Sequence, residues 1–182
     1  MQDRKRNSRD LFTYRPREED EIRIPAGWDS WREIMAFLLQ SAGRTGKSGE
    51  VPISAAVLDL KGGKILGQGA NSTITRNDPA GHAEINALRR AAAARGNHRL
   101  PGTVLAVTLE PCLMCLGAMV QARIDGLVFA AFDPKAGAII SCLDYPGMDW
   151  LNSRFWVHGG VLSQPSAALL QSFFRRRRNA ER

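Results

Sequence analysis

Two short segments hold residues able to do chemistry: His82-Ala83-Glu84, and Pro111-Cys112-Leu113-Met114-Cys115. Imidazole nitrogen and thiolate sulfur are donors that suit zinc. Cys112 and Cys115 stand three apart, so on a helix they share one face. Pro111 predicts the start of that helix, because its missing N–H would be unpaired at the first helical position anyway. The positive end of the helix dipole then favours both thiolates. His82 and Glu84 are two apart and would point roughly 200° from each other in mid-helix. They can share a site only where a helix end faces the metal. The turn-forming Asn77-Asp78-Pro79-Ala80-Gly81 just ahead predicts such an end.

Three nitrogen and sulfur ligands suit a catalytic zinc, which keeps its fourth position for water, whereas structural sites are closed by four protein ligands. Zinc lowers the pKa of a coordinated water toward ~7. A carboxylate that is not a ligand can then take and return a proton. His82, Cys112 and Cys115 would hold the ion and Glu84 would move the protons. One plainer alternative is a closed zinc site with His98, Cys142 or His158 as fourth ligand. Another treats Cys112 and Cys115 as inert core thiols or a redox pair. Neither alternative gives Glu84 a task.

These residues need elements to position them. The apolar residues Trp28, Trp31, Ile34, Met35, Leu38 and Leu39 recur at helical spacing, which predicts a helix over 28–43, broken by the stretch GRTGKSG. That stretch ends in Gly-Lys-Ser, but Ser41 stands where a phosphate-binding loop needs its first glycine, so a solvated loop is the reading. Residues 51–60 and 64–70, parted by Lys61-Gly62-Gly63, read as a β-hairpin. After the polar NSTITRNDPAG a helix is predicted from His82 to Arg95, stopped by Gly96. A buried strand over 103–109, the cysteine-bearing helix to Ala122, strands over 126–132 and 154–158, and a helix over 166–178 complete the pattern. Strands alternating with helices predict an α/β fold with a mixed sheet.

The chain has 182 residues, 44% apolar and 24% charged, which fits one globular domain over 28–182. Residues 1–27 are polar, rich in both charges and broken by Pro16 and Pro25, and read as a loosely attached or disordered extension. The longest uncharged apolar stretch, Pro111 to Ala122, falls far short of the ~20 residues that a membrane span needs. The charged N-terminus lacks the apolar run of a secretory signal, so the expected location is the cytoplasm. Three cysteines are too few for a disulfide framework. The net charge is +7, and residues 165–182 carry five Arg against one Glu, so most of the excess lies in the tail. That balance favours a polyanionic partner.

The pair His-x-Glu and Pro-Cys-x-x-Cys resembles the signature of the cytidine deaminase superfamily. Further segments are similar to the bacterial tRNA adenosine deaminases within it: NDPAGHAEINAL (77–88), VTLEPCLMCLGAMVQARI (107–124), VFAAFDPKAGA (128–138), LNSR (151–154) and SFFRRRR (172–178). The likeness covers residues 28–178. It implies a three-layer α/β/α sandwich with about five strands, one zinc ion per chain, and deamination of a wobble-position adenosine in a tRNA anticodon stem-loop. It also implies a homodimer, and Leu113, Met114, Leu116 and Met119 offer an apolar surface for one. By the same likeness Asn71 contacts the substrate base, while Asp133, Asn152 and Phe174 hold neighbouring nucleotides, with Glu50 a further loop contact. The chain departs from the family pattern at Ala80-Gly81, at Ser153 (usually histidine), at Gln164-Pro165 (commonly Glu-Cys) and at Ser54 (glycine).

Each of these contact residues also has a plainer reading. Asn71 and Asn152 could be turn residues and Asp133 an ordinary turn start. Phe173 and Phe174 could both be core, and Arg175–Arg178 a solvated helix end that suits the dipole. The competing functions are a deaminase of free bases or nucleosides, and a zinc-stabilised RNA-binding module without catalysis.

Overall fold

The computed structural model describes residues 22–148 and 150–180. Their order is α1 (Trp31–Lys47), β1 (Ser54–Asp59), β2 (Ile65–Ala70), α2 (Ala83–Arg95), β3 (Thr103–Leu109), α3 (Leu113–Ala122), β4 (Gly126–Ala131), β5 (Trp156–Gly159) and α4 (Ser163–Ala180). The strands form one sheet in the order β2-β1-β3-β4-β5. β1 runs antiparallel to both β2 and β3, while β3-β4 and β4-β5 are parallel, so the sheet is mixed as expected.

Alternation of strand side chains divides the core between the two faces of this sheet. Ala55, Val57, Leu105, Val107, Leu127 and Phe129 pack with residues of α2 and α3. Their neighbours Ala56, Leu58, Val104, Ala106, Val128 and Ala130 pack with Trp31, Ile34, Met35 and Leu38 of α1. Helices on both faces make the three-layer sandwich that the resemblance implied. Among the described residues no helix is long and apolar enough to cross a membrane.

α2 lies unusually close to β2, and glycine makes that possible. A Cβ on Gly67 would fall 2.4 Å from the Ala87 carbonyl oxygen, and one on Gly69 would fall 2.1 Å from that of Ala83. Any side chain at these positions would push α2, and the residues at its start, off the sheet.

Several boundaries differ from the expectations. The first helix starts at Trp31, where the Ser30 hydroxyl accepts from the Glu33 N–H at 3.2 Å. It then runs through the glycines of GRTGK to Lys47. Thr45 is buried and returns a hydrogen bond to the Ser41 carbonyl, so packing overrides the helix-weakening effect of Gly43 and Gly46. Gly-Lys-Ser thus ends a helix, where the dipole disfavours phosphate. Of the extension expected over 1–27, residues 1–21 lie outside the described residues. Ile22 is buried against α1 and the sheet, and the Trp28 indole donates to the Gly63 carbonyl at 2.9 Å.

Candidate active site

Both predicted ligand segments sit at helix starts, and the histidine and first cysteine occupy equivalent positions. His82 is the N-cap of α2 and Cys112 the N-cap of α3, each with extended backbone and neither using its side chain as a cap. Their rings and sulfurs are thereby turned to the site. Pro111 is therefore not the first helical residue, as the sequence suggested, but the residue before the cap. Its carbonyl accepts from the Ala138 N–H at 2.8 Å instead.

The three donor atoms form a nearly equilateral triangle. His82 Nδ1 is 3.6 Å from Cys112 Sγ and 3.6 Å from Cys115 Sγ, and the two sulfurs are 3.7 Å apart. A tetrahedral zinc with bonds of about 2.3 Å to sulfur and about 2.05 Å to nitrogen would hold its ligand atoms about 3.6 Å (S–N) and about 3.8 Å (S–S) apart. The residues fit the ion. Among the described residues this triad is the group able to hold a metal; His98, Cys142 and His158 do not join it.

Charge at the site is strongly coupled. Donation from Cys115 holds the Cys112 thiol down to about 4, against its own burial. Cys115, as the donor and buried, is pushed up. The hydrogen bond to Cys112 raises the His82 pKa, more than burial lowers it. Metal binding needs both sulfurs as thiolates, a state the N-terminal end of α3 favours.

Glu84 lies in the first turn of α2 and is 4% exposed. Burial raises its carboxyl above the ordinary range, more than its own backbone N–H and the nearby His82 lower it. Its surroundings include Cys115. The buried Glu84 carboxyl thus lies next to the three donors that could hold a metal ion.

Asn71 is 9% exposed, and its Oδ1 accepts from the Ala83 N–H at 3.0 Å. It supplies the cap that His82 does not, so the residue expected to contact substrate also fixes the start of α2. Asp133 and Phe174 come together on the walls of a cleft of about 540 Å³, with Phe132, Lys135, Gln171 and Arg178. Phe174 is 43% exposed there, whereas Phe173 is buried in the core. Asn152 is exposed in the segment before β5 and is not on the cleft wall. Of the apolar α3 residues, Leu116 and Met119 are core, and Leu113 and Met114 are exposed.

Two buried glutamates hold loops beside this site. Glu50, 1% exposed, accepts from the hydroxyls of Thr73 and Thr75 and the backbone N–H groups of Ile74, Thr75 and Val51. Burial opposes its charge, yet these bonds outweigh that and hold its carboxyl below the usual carboxylate range. Glu110, 2% exposed, gathers the loop after β4. Reasoning from the sequence missed Glu110, Lys135 and the clamp made by Glu50. The one available signal for Glu110 was an acidic residue ending the apolar run TVLAVTL immediately before Pro-Cys.

A mixed-sheet α/β/α sandwich carrying His82, Cys112, Cys115 and Glu84 at converging helix starts defines a deaminase of the cytidine deaminase type. A family model described as MafB19-like deaminase matches residues 29–178. A tRNA-specific adenosine deaminase of Haemophilus influenzae is 39% identical over 163 residues, 90% of this chain and 92% of that protein. A structure solved in studies of A-to-I editing by tRNA:A34 deaminases at the wobble position superposes with a TM-score of 0.70 at 39% identity, covering 75% of this chain and 97% of the other. A guanine deaminase from Nitrosomonas europaea superposes with a TM-score of 0.70 at 26% identity, covering 90% and 95%. The chain belongs to the deaminase family that includes the bacterial tRNA-specific adenosine deaminases.

Proposed function

We propose that this protein is a zinc-dependent hydrolase that converts adenosine to inosine at the wobble position of a tRNA anticodon loop. The observation that carries the proposal is the donor triangle of 3.6, 3.6 and 3.7 Å with buried Glu84 beside it. The 39% identity to a tRNA-specific adenosine deaminase over nine tenths of the chain, against 26% to a guanine deaminase, favours adenosine in RNA over a free base.

His82, Cys112 and Cys115 would hold one zinc ion, which supplies the Lewis acidity that makes water a nucleophile near neutral pH. Glu84 takes a proton from the attacking water and passes it to the ring nitrogen next to the carbon that bears the amine. It then takes the proton left on the added hydroxyl and delivers it to that amine, so the carbon–nitrogen bond breaks, ammonia leaves and inosine remains. Asn71 presents its amide NH₂ to the base, its oxygen being engaged by Ala83. Asp133 and Phe174, on one cleft, and Asn152 hold flanking nucleotides, Phe174 by stacking. The arginines of α4 meet the phosphate backbone. Exposed Leu113 and Met114 suit a homodimer contact, and the expected location is the cytoplasm.

The test is incubation of purified protein with tRNA transcripts bearing a wobble adenosine, and separately with free bases and nucleosides. Inosine in the transcript is expected. Turnover of guanine with no tRNA product would replace this reading by the free-base deaminase, and product from neither by the RNA-binding module.

A further inference from the structure

Glu110 is a buried carboxylate whose hydrogen-bond donors from side chains and backbone all come from one loop. Oε1 accepts from the N–H groups of Ile139 (3.2 Å), Ile140 (2.7 Å) and Ser141 (2.9 Å). Oε2 accepts from the Asp133 N–H (3.0 Å) and the Ser141 hydroxyl. Among the described residues no cation pairs with it. A charged acceptor facing several convergent N–H groups makes bonds roughly twice as strong as neutral ones, so both ends of the 133–141 loop are drawn to one point. The loop's own bonds tighten it further, Gly137 N–H to the Asp133 carbonyl at 2.9 Å and Ala138 N–H to the Pro111 carbonyl at 2.8 Å.

Sterics show how closely the loop is drawn in. A Cβ on Gly137 would lie 2.4 Å from the Glu110 carboxyl carbon and 2.6 Å from the Asp133 carbonyl oxygen, so a glycine is needed there. Glu110 is also two residues from Cys112, and its own N–H bonds to Ala131 of β4 at 2.8 Å. The register between the ligand-bearing turn and the 133–141 loop is thus set by the five bonds to Glu110 together with the one from Ala138 to the Pro111 carbonyl. That loop contributes Asp133 and Lys135 to the 540 Å³ cleft.

We propose that Glu110 is a positioning residue for substrate recognition, fixing the Asp133–Lys135 rim of the cleft relative to the metal site so that flanking nucleotides are held while the target base is held at the metal. The inference rests on the reading of the protein as a tRNA adenosine deaminase. A residue serving stability alone would change the melting temperature and leave the kinetic constants of the folded fraction unmoved.

The experiment compares the zinc-loaded protein with Glu110→Gln, Gly137→Ala and Ser141→Ala. Gln keeps one acceptor oxygen and turns an NH₂ toward N–H donors. Gly137→Ala displaces the same loop with the carboxylate intact, and Ser141→Ala removes one bond of the five, so it decides the matter should Glu110→Gln fail to fold. Zinc content, amide exchange across 133–141, and kcat and KM on an anticodon stem-loop are measured. Expected are wild-type zinc content, exchange faster by about tenfold in the first two variants, and KM raised about tenfold with kcat down about twofold. Ser141→Ala should shift KM the same way by about threefold. Unmoved KM in all folded variants, or loss of zinc without a change in KM, overturns the proposal. A wild-type protein inactive on the stem-loop overturns the tRNA reading and this inference with it.

Discussion

Asn71 offers a test that separates scaffolding from catalysis at one side chain. Its Oδ1 accepts from the buried Ala83 N–H at 3.0 Å, at the start of the helix that carries Glu84. Asn71→Ala leaves that N–H without its acceptor, a loss of about 1–2 kcal/mol for a helix cap. At roughly 2–4 °C per kcal/mol for a domain of this size, the melting temperature should fall by about 2–8 °C. Asn71→Asp keeps an acceptor in place and sets a negative charge at the positive end of α2, so its stability should stay within about 0.5 kcal/mol of the wild type. It lacks the NH₂ proposed to face the base, and a site that loses one buried donor to its substrate should lose about 10- to 100-fold in kcat/KM. Thermal unfolding followed by circular dichroism, with kcat/KM on an anticodon stem-loop, reads both quantities. Full activity in Asn71→Asp would assign this residue to capping alone. An unaltered melting temperature in Asn71→Ala would remove the cap from the account.

Glu84→Gln should retain its zinc and lose at least about 10²-fold in kcat, as expected for a general acid–base group; metal analysis beside single-turnover kinetics checks both, and retained activity would end the proton-transfer assignment. Alanine in place of Arg175, Arg176, Arg177 and Arg178 should weaken RNA binding and flatten its salt dependence, by about 0.7 in the log–log slope for each phosphate no longer neutralised; an unchanged slope assigns these arginines to solubility. Glu50 should contribute to acid stability with a definite sign. Its carboxyl sits below the ordinary range in the folded chain, so its contribution is complete above the unfolded carboxylate pKa and fades as pH falls through the depressed one. Glu50→Gln should therefore be less stable than the wild type near neutral pH, and the gap should close in acid. Urea unfolding at a series of pH values measures this, and a gap that widened in acid would refute the sign.

Some of this molecule is legible in the sequence because the relevant physics is local. The short apolar run TVLAVTL marks β3 at Thr103–Leu109, and Gly96, left-handed at φ 63°, stops α2 where the sequence predicts. The proposed metal triad is legible for a related reason. Its ligands fall where chain turns into helix, and those transitions are written in Asn77–Gly81 and Pro111. What escapes the sequence is decided at a distance. Helix α1 passes through two glycines because Thr45 is buried, which no local propensity reports.

Asn71 follows the same division. Its neighbours in the chain describe a turn, while its work is done twelve residues away at the Ala83 N–H. Glu110 is the extreme case, since its donors lie 23 to 31 residues downstream. A lone glutamate at the end of an apolar strand carries no sign of how many N–H groups will converge on it. The residues proposed for catalysis can be read from short motifs because metal and proton chemistry fixes their types and spacing. The residues proposed to aim a substrate at them are bound by no such spacing. Among relatives that include a tRNA-specific adenosine deaminase and a guanine deaminase, long-range clamps of this kind are where substrate choice would have room to change.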